Sequence, residues 1–423
     1  MHTHNRISEA SILTGVSCPM FIRIGLLFFG FLAFSPVVSF LFIRILGAPL
    51  VISEIPMALF FFLFRRELGL QVRFSPFIVL VGVLLVFSVG VGFLYGAYSK
   101  FAILSNARTY VVLLFWMGCL HGNRKITFEH MLYLALGSTL GWFFISLKSF
   151  SSVVFDGLSG SGATSGAMLA VSLLLSVSYC YRQWKLFWVS NILSLGTCFF
   201  SGTRRAMLSW IWAFVSSMFV EFNARKLCLS MGLMVVGSVV VVVSWEPLSD
   251  WVKVHSPYMH VRVFRKTEAL LGSGLEAEND QGRFEMIQNL VTIDCLQENL
   301  IPRGMVSKWT TREEGTGIFM DCPVYELYHT FGFLGAFLLF AVVLLRVLKH
   351  LRLFWKKKQR SSAVFAILGG HMLLMMFYEG GFISFAPFSI FTAFAIVNLF
   401  SNKEVLYSAR YGSQTNKQIV QVK

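Results

Sequence analysis

Charge is what this chain has least of. Asp, Glu, Lys and Arg make up 13% of its 423 residues, and 21 acids are outnumbered by 36 Lys and Arg. Soluble domains carry about 25% charged residues, so a water-facing globule is excluded. Cysteine is sparse as well, and Cys18, Cys119, Cys180, Cys198, Cys228, Cys295 and Cys322 show no metal-ligand spacing. Five of them lie in or beside apolar runs, where a small apolar side chain is explanation enough. Cys295 and Cys322 share a long polar segment and would be free to pair in an oxidising compartment. His255, His260, His329 and His371 stand isolated, without zinc-like pairing. The Gly-rich stretch 157–166 lacks the Lys-Ser or Lys-Thr that a phosphate loop requires. No repeat of fixed period is present. The first apolar run is too long for a cleavable signal peptide and no small-residue cleavage site follows it, so it reads as a signal anchor.

What is present in quantity is apolar. Hydrophobic residues make up 56% of the chain, with 44 Phe. They gather in runs near 22–43, 48–64, 77–95, 101–120, 131–150, 163–181, 185–200, 206–222, 227–245, 324–347, 363–379 and 382–400. Runs of this kind have the length of bilayer-crossing helices, about 20 residues. The expected fold is therefore an all-α polytopic membrane protein of about twelve transmembrane helices, with one large extracytoplasmic loop containing short helices. Four regions follow: a membrane bundle over 1–245, the loop over 246–323, a second bundle over 324–400 and a polar tail over 401–423.

The net charge of +15 does not point to nucleic acid, because its distribution is wrong. The cations sit in short caps between apolar runs and not on one soluble face with stacking aromatics. On one side fall Arg65, Arg66, Arg73, Arg124, Lys125, Arg182, Lys185, Arg225, Lys226, the run from Arg346 to Arg360, Lys403 and Arg410. The opposite short loops hold Arg44, Lys100, Lys148 and the pair Arg204-Arg205. By the positive-inside rule both termini are cytoplasmic and the long loop lies outside the cytoplasm.

Cations that defy this pattern are the informative ones. Arg204 and Arg205 follow Ser201-Gly202-Thr203 at the external end of a span. Planar guanidinium groups suit phosphate oxygens, and backbone amides at the start of the next helix could add to such a cradle. Snorkelling to lipid headgroups is the plainer alternative. Arg108 lies within a span, where an ionisable group marks a functional site or a structural pair with an acid such as Glu54 or Glu379. Most charges of the long loop alternate in sign and suit a solvated surface.

Four segments in order resemble the superfamily of O-antigen polymerases and O-antigen ligases. A Gly-rich external turn enters a span (Gly160 to Ala167), and a Ser-Gly-Thr-Arg cluster opens a later one (Ser201 to Arg205). Gly282-Arg283 leads to Asn299-Leu300-Ile301-Pro302-Arg303-Gly304. Asp321 and Glu326 then precede Phe331-Gly332-Phe333-Leu334-Gly335, which enters the next span. With the span layout the resemblance covers most of the chain. It departs where the Gly-rich turn continues Thr164-Ser165 instead of Pro-Asn, and where Asp321 stands in place of the histidine usual in ligases; the latter favours polymerase.

The resemblance implies a glycosyltransferase of the cell inner membrane acting on undecaprenyl-diphosphate-linked oligosaccharide. A growing glycan would pass to a hydroxyl of an incoming repeat unit with inversion at the anomeric carbon, and a chain-length regulator is a plausible partner. The leaving diphosphate needs counter-charge. No Asp-x-Asp or His cluster lies outside the membrane, so no metal or other cofactor is expected and Arg204, Arg205, Arg283 and Arg108 are the candidate diphosphate ligands. Asp321, then Glu326, are the candidate catalytic bases, with Asp280 an outsider. Trp251, Tyr258, Trp309, Tyr325 and Tyr328 are candidates to stack on sugars, although aromatics are expected at a membrane interface in any case. The rival readings are a ligase transferring glycan to lipid A core, a lipid-linked polysaccharide flippase or other transporter, and a non-catalytic partner in envelope assembly. Transporters usually have matching halves, which this chain lacks.

Overall fold

The computed structural model describes residues 19–33, 42–45, 48–51, 54–95, 100–123, 125–151, 164–201, 204–220, 243–257, 260–265, 323–378 and 389–400. Isolated positions at Gly232, Val239, Glu268, Leu300, Pro302 and Gly304 are described as well. The helices are α1 (Met20–Ala33), α2 (Glu54–Phe64), α3 (Pro76–Tyr95), α4 (Lys100–Leu120), α5 (Phe128–Ser151), α6 (Thr164–Cys180), α7 (Trp184–Ser201) and α8 (Arg204–Val220). Then come α9 (Trp245–His255), a π-helical turn (His260–Arg265), α10 (Pro323–Lys357), α11 (Arg360–Tyr378) and α12 (Ser389–Phe400). Strands β1 (Phe42–Ile45) and β2 (Ala48–Val51) form an antiparallel ribbon in which Ile45 pairs with Ala48.

This is the fold of a helical membrane protein. Among the described residues four helices are long and apolar enough to cross a bilayer, over Pro76–Leu94, Phe128–Leu147, Leu327–Lys357 and Arg360–Phe377, and shorter apolar helices pack with them. Helices α3 to α8 fall within a few residues of the runs that place them.

The beginning of the chain differs from expectation. Of the expected span over 22–43 the structure describes the helix up to Ala33 and the start of β1 at Phe42, and 34–41 lie outside the described residues. Over the run from 48 to 64 the structure describes the short strand β2 and then α2, within a chain whose described elements are helical apart from the β1–β2 ribbon. Phe42-Ile43-Arg44-Ile45 is rich in residues that favour strands, and Pro49 has no backbone N–H to offer a helix.

The bundle is arranged radially. Helix α6 is its axis: every residue from Met168 to Cys180 is buried, and α5, α7, α8, α11 and α12 all contact it. Small residues let these helices approach, since close backbone contact and hydrogen bonds bind helices where no hydrophobic force separates them from lipid. The Oγ of Ser172 lies 2.6 Å from Nδ1 of His371 on α11. The indole of Trp210 donates to Asn191 across α8 and α7 at 2.8 Å, and that of Trp212 donates to the Ile367 carbonyl of α11 at 3.1 Å. Helices α3 and α10 lie outside, with Val83, Val86, Leu334, Phe337 and Leu345 exposed to the surroundings.

At the start of the chain α1 runs parallel to α5. Gly30 faces the backbone of Leu134 and Ser138, and Gly137 faces that of Leu27. Arg23 and Glu129 close one end of this pair at 2.7 Å, with Arg23 also over the Tyr133 ring. Neither partner stands out in the sequence as a pair.

The helices alternate in direction, so their connections divide between two ends. Arg65, Arg66, Arg73, Lys125, Arg182, Lys185, Lys356, Lys357, Lys358 and Arg360 are all exposed and belong to turns at one end, called here the basic end. Contacts that tie its elements together include Phe128 with Tyr181 and Phe365, and Arg346 with Phe400.

Candidate functional site

The opposite end carries the segments singled out by the sequence. Helix α7 finishes there at Phe200-Ser201, and α8 restarts at Arg204. The Ser201 hydroxyl donates back to the Cys198 carbonyl at 2.8 Å, and the Cys198 thiol reaches the Ala206 carbonyl at 3.2 Å. This corner is therefore held by its own side chains. Arg205, in the first turn of α8, is half-buried.

Above the corner sits the first folded part of the long polar segment. Val252 of α9 and Phe264 of the π-helical turn form a small separate core, and Phe200, Trp245 and Leu248 pack on it. The Trp245 and Phe264 rings lie 4.6 Å apart, and the Trp245 indole donates to Glu268 at 3.2 Å. Phe200 also meets Phe143 of α5 at 5.8 Å. One phenylalanine thus joins the membrane bundle to the polar segment, two residues after the last apolar turn of α7 contributes its cysteine.

A second contact lies at the outer ends of α3 and α4. Gly304 has φ +110 and rests against Gly92 of α3; a Cβ on Gly304 would come within 2.7 Å of the Gly92 Cα, and one on Gly92 would meet Ile103 of α4. Only glycine meets both requirements, a left-handed backbone and a backbone-to-backbone approach. On α4, Arg108 is half-buried between the buried Ala107 and Thr109. Tyr110 crosses edge-on to Phe331 of α10 at 5.6 Å, so α4 meets the entrance of α10 close to Arg108 in sequence.

Of the six candidate site residues, Arg108 and Arg205 are described in full, both half-buried and both toward this end. Arg204 and Glu326 are placed by backbone alone, in the first turns of α8 and α10. Asp321 and Arg283 lie outside the described residues, as do the outsider Asp280 and the pair Cys295 and Cys322. So does Glu379, offered as a partner for Arg108, while Glu54 opens α2. The structure thus brings Phe200, at the end of α7 beside Ser201, to α9, and Gly304 to α3, with α10 meeting α3 and α4.

One aromatic expectation is overturned. Tyr328 is only 4% exposed, packed edge-on against His329 and Phe333, so it cannot stack on a sugar; it belongs to the helix interface because α10 turns that face inward. Trp251 is 49% exposed and stacks on His255 at 4.4 Å. Tyr258, Trp309 and the Tyr325 side chain lie outside the described residues. No group of three or more His, Cys, Asp or Glu converges among the described residues.

The fold and this end of it define a helical membrane protein that folds part of its long polar segment onto the bundle. Searches of family models, curated proteins and solved structures return no match to the chain.

Proposed function

We propose that this protein is a polysaccharide polymerase that joins undecaprenyl-diphosphate-linked repeat units at the outer face of the cytoplasmic membrane. In this reading about twelve spans carry the chain, both termini are cytoplasmic and the polar segment lies outside. The supporting observation is that the described parts of the quoted motif segments meet one end of the bundle, the end away from the exposed basic turns. Phe200, next to Ser201, packs under α9, Gly304 rests on Gly92, and Phe331 near the start of α10 meets Tyr110.

The reaction assigns a role to each candidate. The acceptor hydroxyl oxygen forms a bond to the anomeric carbon of the donor glycan. The bond from that carbon to the diphosphate oxygen breaks, and undecaprenyl diphosphate leaves with the electron pair. Asp321, or Glu326 in its place, takes the hydroxyl proton. Arg204, Arg205, Arg283 and Arg108 neutralise the charge that grows on the diphosphate, where preorganised cations act most strongly in the transition state.

The test uses the purified full chain with a lipid-linked oligosaccharide from the same cell, with chelator present. A ladder of longer glycans on electrophoresis is expected. Arg204→Lys and Arg283→Lys should each weaken it by about 100-fold, because an ammonium cannot reproduce a planar two-point contact. Transfer to lipid A core would make the protein a ligase, and an unchanged ladder in both variants would remove the arginines from the site. No transfer from donors of verified structure would favour a transporter.

A further inference from the structure

The basic end holds a cavity that topology alone does not explain. It has a volume of about 840 Å³ and opens between the turn after α2 and the turn joining α4 to α5. Arg65, Arg66, Arg73 and Lys125 line it, with Gln71, Asn123 and Phe62, and no acid is among its described lining residues. Small-molecule sites commonly span about 300–1,000 Å³.

The two turns are fastened together. The Asn123 side-chain amide donates to the carbonyls of Leu68 at 3.0 Å and Gly69 at 3.2 Å, and its oxygen accepts from the Lys125 amide at 2.9 Å. The Leu70 amide closes back to the Arg65 carbonyl at 2.9 Å, and the Arg73 amide caps α4 at the Gly118 carbonyl at 3.0 Å. Arg73 is aimed by its bonds to the Gly122 carbonyl and to Gln71, both 3.4 Å. The stem of Lys125 packs against Gly69. Like charges disperse unless something holds them, and here two separate turns are joined so that four cations share one concavity. The positive-inside rule requires cations at this end; it does not require them gathered around a framed cavity. Beside it the wall is apolar, with Phe62 71% and Leu63 63% exposed on α2.

We propose that this cavity binds a phosphate-bearing ligand, and that the ligand is the headgroup of an anionic phospholipid from the adjoining leaflet. The guanidinium and ammonium groups take the phosphate oxygens, and the acyl chains lie along the exposed face of α2. A soluble diphosphate offers the same oxygens without the chains. The site is distinct from the one at the opposite end and does not depend on the polymerase reading.

The test is native mass spectrometry of the full chain in mild detergent, titrated with tetraoleoyl cardiolipin, dioleoylphosphatidylcholine or inorganic pyrophosphate. Cardiolipin should bind in preference to phosphatidylcholine. Arg65→Gln with Arg66→Gln should weaken it about 30-fold, whereas Lys357→Gln with Lys358→Gln, which removes the same charge from the same end, should change it less than about threefold. Arg65 and Arg66 are exposed, so their variants keep the fold; Lys125→Gln gives an independent second probe. Pyrophosphate binding without cardiolipin binding would keep the phosphate site and make its ligand soluble. Equal loss in both double variants, or equal affinity for the two lipids, would overturn the site.

Discussion

Gly332 carries a requirement that no neighbour can relieve. Its φ of 70 and ψ of 169 sit inside α10 and break it into two helical segments, a backbone region open to glycine almost alone and costing other residues about 1–3 kcal/mol. Gly332→Ala should therefore lower the stability of the purified protein by about that amount, read as a fall in its melting temperature, while Gly335→Ala, at ordinary helical geometry and against Phe331 alone, should cost less. The sequence marks both glycines as one motif; which of them bends the chain was not legible, because a glycine's dihedral angles follow from what it joins. The same holds at Gly304, whose contact with Gly92 joins positions more than 200 residues apart. Arg108 and Arg205 were legible as anomalies, charges where the hydropathy pattern forbids them. Their half-buried state and their neighbours were not, since burial depends on which helix comes to lie alongside. Arg23 and Glu129 pair at 2.7 Å although each begins a different apolar run and neither breaks the topology rule.

Among the elements, α1 is the one whose partner only the tertiary structure supplies. At 14 residues it depends on α5, against which its backbone lies so closely that Gly30 and Gly137 have no room for a side chain. Gly137→Leu should force α1 away from α5 and break the Arg23–Glu129 pair. The expected readout is faster proteolysis at the N-terminal end of the detergent-solubilised protein, with no comparable effect from Gly82→Leu, whose Cβ position opens onto space. Equal proteolysis in the two variants would contradict this packing. Helices α3 to α8 were legible because a long apolar run admits few alternatives to a helix in lipid. The packing of the run that begins at 22 was not, since which helix α1 lies against depends on a stretch more than 100 residues later. The small core of Val252 and Phe264 was equally hidden: its parts look like scattered apolar residues in a charged segment until Phe200 is brought beneath them.

For the whole molecule the main expectation concerns sidedness. If the basic end faces the cytoplasm, a cysteine introduced at Arg182 or Lys357, both exposed, should react with a membrane-impermeant maleimide only after the cytoplasmic side is opened. A cysteine at Trp251 should react in intact cells once the outer envelope is made permeable. Labelling of Arg182→Cys from the outside would invert the arrangement and move the proposed diphosphate site to the wrong face. The sequence by itself determined that the chain is a helical membrane protein and that its short basic turns share one side. Both follow from local quantities, the length of apolar runs and the cost of moving cations across lipid. Only the tertiary structure decided that α6 is the axis, that Phe200 and Gly92 receive parts of the polar segment, and that four cations frame a single cavity. Those are contacts between distant stretches of chain, and hydropathy carries no information about which apolar surfaces meet, because lipid and a neighbouring helix are nearly equivalent surroundings for an apolar side chain.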